Sequence, residues 1–135
     1  MTKLATMTKS ICALIVGIFI AACLTAAPLS INIPGLGVRE VLDIGQTGVK
    51  AFVQAGQCAD GSLPLPGRTC AAGIGYNLGT QLYIVGVGVR TVTDRYYTTL
   101  YDQNNYKLSI FVHVANSNAV AAFGIPIARQ VYIIK

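Results

Sequence analysis

The stretch Leu82-Tyr83-Ile84-Val85-Gly86-Val87-Gly88-Val89-Arg90-Thr91-Val92-Thr93 decides the fold class of this 135-residue chain. It is dense in β-branched residues, which fit a pleated surface better than a helix. Read as one strand, it puts Tyr83, Val85, Val87 and Val89 on one face, with Ile84, Gly86, Gly88 and Arg90 on the other. The second face therefore has two places without a side chain, where another backbone or a bulky group can approach closely.

Toward the C-terminus the same character continues. Arg95 to Tyr101 reads as a further strand, and Asp102-Gln103-Asn104-Asn105 as a turn. Tyr106 to Val114 returns as a hairpin arm. Ala119 to Phe123 reads as a short strand, and Ile127 to Ile134, after Gly124 and Pro126, as the last one. Strands broken by turns about every ten residues predict a mainly β fold, a small antiparallel sandwich or barrel. Toward the N-terminus, Gly73 to Gly79 has the spacing G-x-G-x3-G, which is not the dinucleotide fingerprint and reads as a loop. Pro28 to Gly37 is an extended, turn-rich lead-in. Val38 to Ala55 supplies the one short helix of the predicted fold, because Val38, Val41, Leu42, Val49, Phe52 and Val53 recur at helical spacing. Gly45 and Gly48 within it each cost about 1 kcal/mol against Ala and threaten to break it.

Residues 1–26 read as a hydrophobic signal helix preceding this domain. Lys3 and Lys9 form a positive leader, and Ile11 to Ala22 is an uncharged apolar run shorter than the ~20 residues of a membrane span. Small residues follow, which suits cleavage with a mature N-terminus between Cys23 and Ala27. Retention as a signal anchor and lipidation at Cys23, within the lipobox-like Ile20-Ala21-Ala22-Cys23, are the alternatives. The expected organisation is a signal peptide (or signal anchor) over 1–26 and a single β-rich exported domain over 27–135. Such a protein is secreted or held at the cell surface, touching membrane only through an uncleaved or lipidated leader.

Export sets the expectation for cysteine. Cys12 and Cys23 belong to the leader or its edge, leaving Cys58 and Cys70, with eleven residues of a Gly- and Pro-rich loop between them. One disulfide is the simplest outcome, stabilising by about 3 kcal/mol on the chain-entropy argument. A metal is not expected, since two thiols and His113 make a poor zinc set.

Catalytic groups are scarce. The chain has one His, five acids and no Trp. Glu40 and Asp43 are three apart on the helix candidate, where acids favour the helix dipole; Asp60, Asp94 and Asp102 read as turn residues. Ser109 and His113, four apart on one strand, stand about 13 Å apart, beyond hydrogen-bond reach. His113 itself reads as a half-exposed strand residue. Neither a catalytic site nor a cofactor is expected. The net charge of +5 falls once Lys3 and Lys9 leave, and the remaining cations are scattered, which argues against nucleic acid.

Tyrosine is the suggestive residue. Tyr96, Tyr97, Tyr101 and Tyr106 gather around one hairpin, and Tyr is enriched at binding surfaces. Two functions follow as expectations. The first is a non-enzymatic structural or surface β-domain that self-assembles, or meets a cell-surface partner, by strand addition. Its Gly86 and Gly88 would admit the close approach, and Val131 and Ile133 would lie on a donated C-terminal strand. The alternative is a secreted module binding a glycan or small ligand through the Tyr-rich hairpin.

Overall fold

The structure, a computed structural model, describes residues 27–95 and 109–135. The leader with Cys12 and Cys23, and the four clustered tyrosines Tyr96, Tyr97, Tyr101 and Tyr106, lie outside the described residues. The elements run in the order β1 (Ser30–Ile33), β2 (Gly37–Phe52), β3 (Thr69–Ala72), β4 (Gln81–Ile84), β5 (Gly88–Arg95), β6 (Ser109–His113), α1 (Ser117–Phe123) and β7 (Ile127–Ile134). The fold is mainly β with one short helix among the described residues.

Six strands close into a barrel in the order β2-β6-β3-β5-β4-β7, the last pairing back to β2, while β1 pairs with the N-terminal end of β2. The expected all-antiparallel arrangement is corrected in one respect. β2 lies parallel to β6 and β3 parallel to β5, the other ladders being antiparallel. Closure removes the exposed edges an open sheet would carry and buries one face of each strand. That inner face holds Val49, Cys70, Ala72, Leu82, Ile84, Val92, Ile110, Val112 and Val131. A side chain of Val, Leu or Ile contributes about 1.5–3 kcal/mol when fully buried, so this cluster holds the barrel together.

Three local expectations are corrected. Residues 38–55 do not form a helix; Gly37–Phe52 is a single 16-residue strand. In a helix its valines and leucine would share a face. In the strand they separate: Val41 and Val49 are buried, whereas Val38 and Leu42 are 66% and 53% exposed. Gly45, at φ 85°, makes the register shift between Asp43 and Gly45, with its N–H donated to Asp43 Oδ1 at 2.7 Å. A bulge of this kind needs the left-handed backbone that Gly alone adopts freely.

The stretch 82–93 is a hairpin, not one strand. The chain turns at Val85-Gly86-Val87, with Val87 N–H bonded to the Ile84 carbonyl at 3.0 Å. Gly86 has φ 82°, and a Cβ there would stand 2.8 Å from Arg129 Nη1. Finally, Ala119 to Phe123 belongs to α1. Asn116 caps it by accepting the Ala119 N–H at 2.9 Å, and Gly124 ends it at φ 88°.

Candidate functional site

Strand alternation decides the fate of the two cysteines. Cys70 sits on β3 opposite Val112 of β6 and joins the inner cluster. His113, the neighbour of Val112, therefore points to the outer face of the barrel wall. Residues 53–68 cross that outer face. Asp60 N–H bonds the Thr93 carbonyl at 3.1 Å, Ala59 N–H bonds Asp94 Oδ1 at 2.8 Å, and Gly67 N–H bonds the His113 carbonyl at 3.1 Å. Cys58 comes down with this segment and accepts a hydrogen bond from Thr93 Oγ1 at 3.4 Å. The two thiols thus lie on opposite sides of the wall, and the expected Cys58–Cys70 disulfide is not formed: both are buried and free.

Around Cys58 the structure builds a cluster that linear spacing does not reveal. Cys58 Sγ, an Asp94 carboxylate oxygen and a His113 ring nitrogen all lie within 4.8 Å of one another. Asp94 stands near the end of β5 rather than in a turn. His113 is 1% exposed rather than half-exposed, and Phe52 packs on its ring with centroids 5.1 Å apart. Its Nδ1 meets Thr69 Oγ1 at 2.6 Å and its Nε2 meets Gln54 Oε1 at 2.9 Å. Burial lowers the His113 pKa, against an upward pull from the Asp94 carboxylate. No single segment carries this group, which is why the sequence shows only its members.

A second feature occupies one end of the barrel. Leu42, Asp43, Ile44, Gly75, Tyr76 and Ile133 line an apolar cleft of about 260 Å³. Arg95 fixes its wall by donating from Nη1 to the carbonyls of Gly73 and Tyr76. Asp43 stands opposite Tyr132 on β7, and Tyr132 stands opposite Tyr83 on β4. The rings of Tyr83 and Tyr132 stack with centroids 6.3 Å apart and an interplanar angle of 14°. Gln130 Nε2 donates to Asp43 Oδ1 beside them. Asp43 is thus common to the cleft and to this group, whereas Tyr83 and Tyr132, alternating with the inward Leu82 and Ile133, stand on the outer face of the wall.

The predicted contact residues lie outside the described residues. The stretch bearing Tyr96, Tyr97, Tyr101 and Tyr106 joins Arg95 to Ser109. Arg95 is level with Ala72 and Ile110, and Ser109 opens β6 at the same mouth. The residues predicted for strand addition are engaged within the chain. Val131 pairs with Gly45 and Ile84, Ile133 with Leu42 and Leu82, and Gly88 with Ile84, while Gly86 forms the turn. Tyr83 and Tyr132, which sequence reasoning leaves among ordinary strand residues, become neighbours only through the β4–β7 ladder. No family model matches the chain, and no curated protein or solved structure matches it significantly.

Proposed function

We propose that this chain is an exported, non-enzymatic β-barrel domain that binds a short glycan at the barrel mouth. The observation that carries the reading is Asp43 at the barrel rim, which lines the apolar cleft and also stands opposite Tyr132 of the stacked Tyr132–Tyr83 pair. A sugar ring has an apolar face and a polar rim. Tyrosine faces suit the first, and the Asp43 carboxylate with the Gln130 amide suits the second. Binding is favoured over hydrolysis because glycosidases set two carboxyl groups about a scissile bond, and among the cleft's lining residues Asp43 is the one acid.

The test uses a convenience of composition. The chain lacks Trp, so its intrinsic emission reports tyrosine alone. Titration with oligomers of glucose and of N-acetylglucosamine should give a saturable change for one of the two. Tyr132→Ala and Asp43→Asn should each weaken it about tenfold, the loss of 1–2 good contacts. No saturable change with either oligomer, or unaltered binding in both variants, would overturn the reading.

Self-association through strand addition keeps one supporting observation. β1 pairs with β2 at the end of the strand order, so its far edge presents an unsatisfied backbone row among the described residues. Leu29 and Val38 on this hairpin are exposed. If this edge recruits a second copy, Asn32→Pro, which removes an N–H facing away from β2, should shift the protein from dimer to monomer in size-exclusion chromatography; a wild-type monomer at high concentration excludes the idea.

A further inference from the structure

We propose that Cys58, Asp94 and His113 form a binding site for a divalent transition metal of the zinc class. The proposal does not depend on the glycan reading, since the two sites use different residues.

The first argument is geometric. The three ligand atoms already lie within 4.8 Å of one another. Around a tetrahedral ion with bonds of about 2.0–2.3 Å, neighbouring ligand atoms sit roughly 3.3–3.8 Å apart. Side-chain rotations of an ångström or so close that difference without moving the barrel. The second argument is the donor set. A thiolate, an imidazole and a carboxylate together suit zinc or cobalt, whereas calcium and magnesium take oxygen donors.

The third argument is preorganisation. Each donor arrives from a separate element and is fixed there. Cys58 is held by its own N–H on the Ser62 carbonyl at 2.8 Å, and Asp94 Oδ1 by the Ala59 N–H at 2.8 Å. His113 is held by Thr69. The hydroxyl of Thr69 accepts the Leu65 N–H at 2.9 Å and lies 3.2 Å from the Leu65 carbonyl. In the metal-free ring Nε2–H is donated to Gln54 Oε1 and Nδ1 accepts the Thr69 hydroxyl. On metal binding the tautomer changes, so that Thr69, its proton given to the Leu65 carbonyl, accepts Nδ1–H and the Nε2 lone pair is free for the metal. Metal-bound histidines are ordinarily oriented by such a partner on the other ring nitrogen. Thr93 Oγ1, donating to Cys58 Sγ, plays the same part for the thiolate.

The fourth argument is the position of Gln54. Its carboxamide bridges the group, with Oε1 2.9 Å from His113 Nε2 and Nε2 3.9 Å from Cys58 Sγ. It spans the place between nitrogen and sulfur where an ion would sit. On metal binding, Gln54 Oε1 turns from hydrogen-bond partner to fourth ligand. The site is also shielded, with Cys58 5% and His113 1% exposed, so water competes poorly.

Cobalt is the probe, because a cobalt–thiolate bond gives a near-ultraviolet charge-transfer band. Reduced, metal-stripped full-length protein titrated with Co²⁺ should show that band saturating at one equivalent, and Zn²⁺ should bleach it. Cys58→Ser should abolish the band, whereas Cys70→Ser should retain it. Asp94→Asn should weaken Co²⁺ binding by about tenfold or more. Because Cys58→Ser could also unfold the chain, its far-ultraviolet circular dichroism is recorded alongside. Zn²⁺ should raise the melting temperature of wild type and of Cys70→Ser alike, and leave that of Asp94→Asn nearly unchanged. No band in the wild type, a band surviving Cys58→Ser, or equal zinc stabilisation in Asp94→Asn would each overturn the proposal.

Discussion

Cys70 shows how burial alone sets the chemistry of a residue. It lies fully buried in the inner cluster, and burial pushes its thiol up from 9.0 to about 12, against a weaker opposing pull from the Arg90 cation. A raised pKa favours the neutral thiol in the fold, so its contribution to stability is intact below pH 9. As pH rises from 9 toward 12 the unfolded chain ionises first and the contribution is lost. The unfolding free energy of wild type, measured by urea titration, should therefore fall with pH more steeply than that of Cys70→Ala, by about 1.4 kcal/mol per pH unit. Equal slopes would mean that the thiol is solvated. Gly86 gives a second expectation at this scale. Alanine there would sit in left-handed backbone with its Cβ 2.8 Å from Arg129 Nη1. Gly86→Ala should lower stability by about 1–2 kcal/mol in the same titration, and a neutral effect would show that the turn relaxes. Residue roles were legible where they are local. Asp60 accepts from the N–H and hydroxyl of Ser62, as a turn aspartate should. The partnership of Asp94 with Cys58 and His113 spans three elements and leaves no spacing to read.

At the level of the element, β7 occupies the span Ile127–Ile134 that the residue pattern indicates, because a β-branched run bounded by Gly124 and Pro126 has little other option. β2 was opaque for a physical reason. Its strand contains a bulge, so the two-residue period slips at Gly45 and the apolar positions on either side fall by chance at helical spacing. The signals for α1 were present and outweighed. Asn116 before a run rich in Ala, followed by Gly124, is a capped helix, and Val120 and Phe123 are not enough to make it a strand. No residue of α1 is buried, so its cap carries much of its stability. Asn116→Ala should cost about 1 kcal/mol and raise amide exchange between Ser117 and Phe123 more than in the barrel strands. Unchanged exchange there would show that contacts to the barrel wall, among them Arg129 over the Phe123 ring at 5.5 Å, hold the helix instead.

For the molecule as a whole, the β class and the barrel option follow from composition and strand density, but the order of strands does not. The parallel β2–β6 and β3–β5 ladders join segments far apart in sequence, and nothing in either segment names its partner. The decisive global contact is β7 between β2 and β4. Deleting Val131 to Lys135 should therefore unfold the domain, seen as loss of the thermal transition, rather than release a folded monomer. A truncated protein that still melts cooperatively would show that the barrel stands open. The same closure has a kinetic side. β2, early in the chain, finds both of its barrel neighbours only in β6 and β7, so the closed state waits until Ile134 is free to pair. Such non-local pairing makes folding slow, on the order of milliseconds to seconds. A chain emerging from a ribosome or a narrow pore stays threadable over most of its length, and it locks only once the last strand has passed.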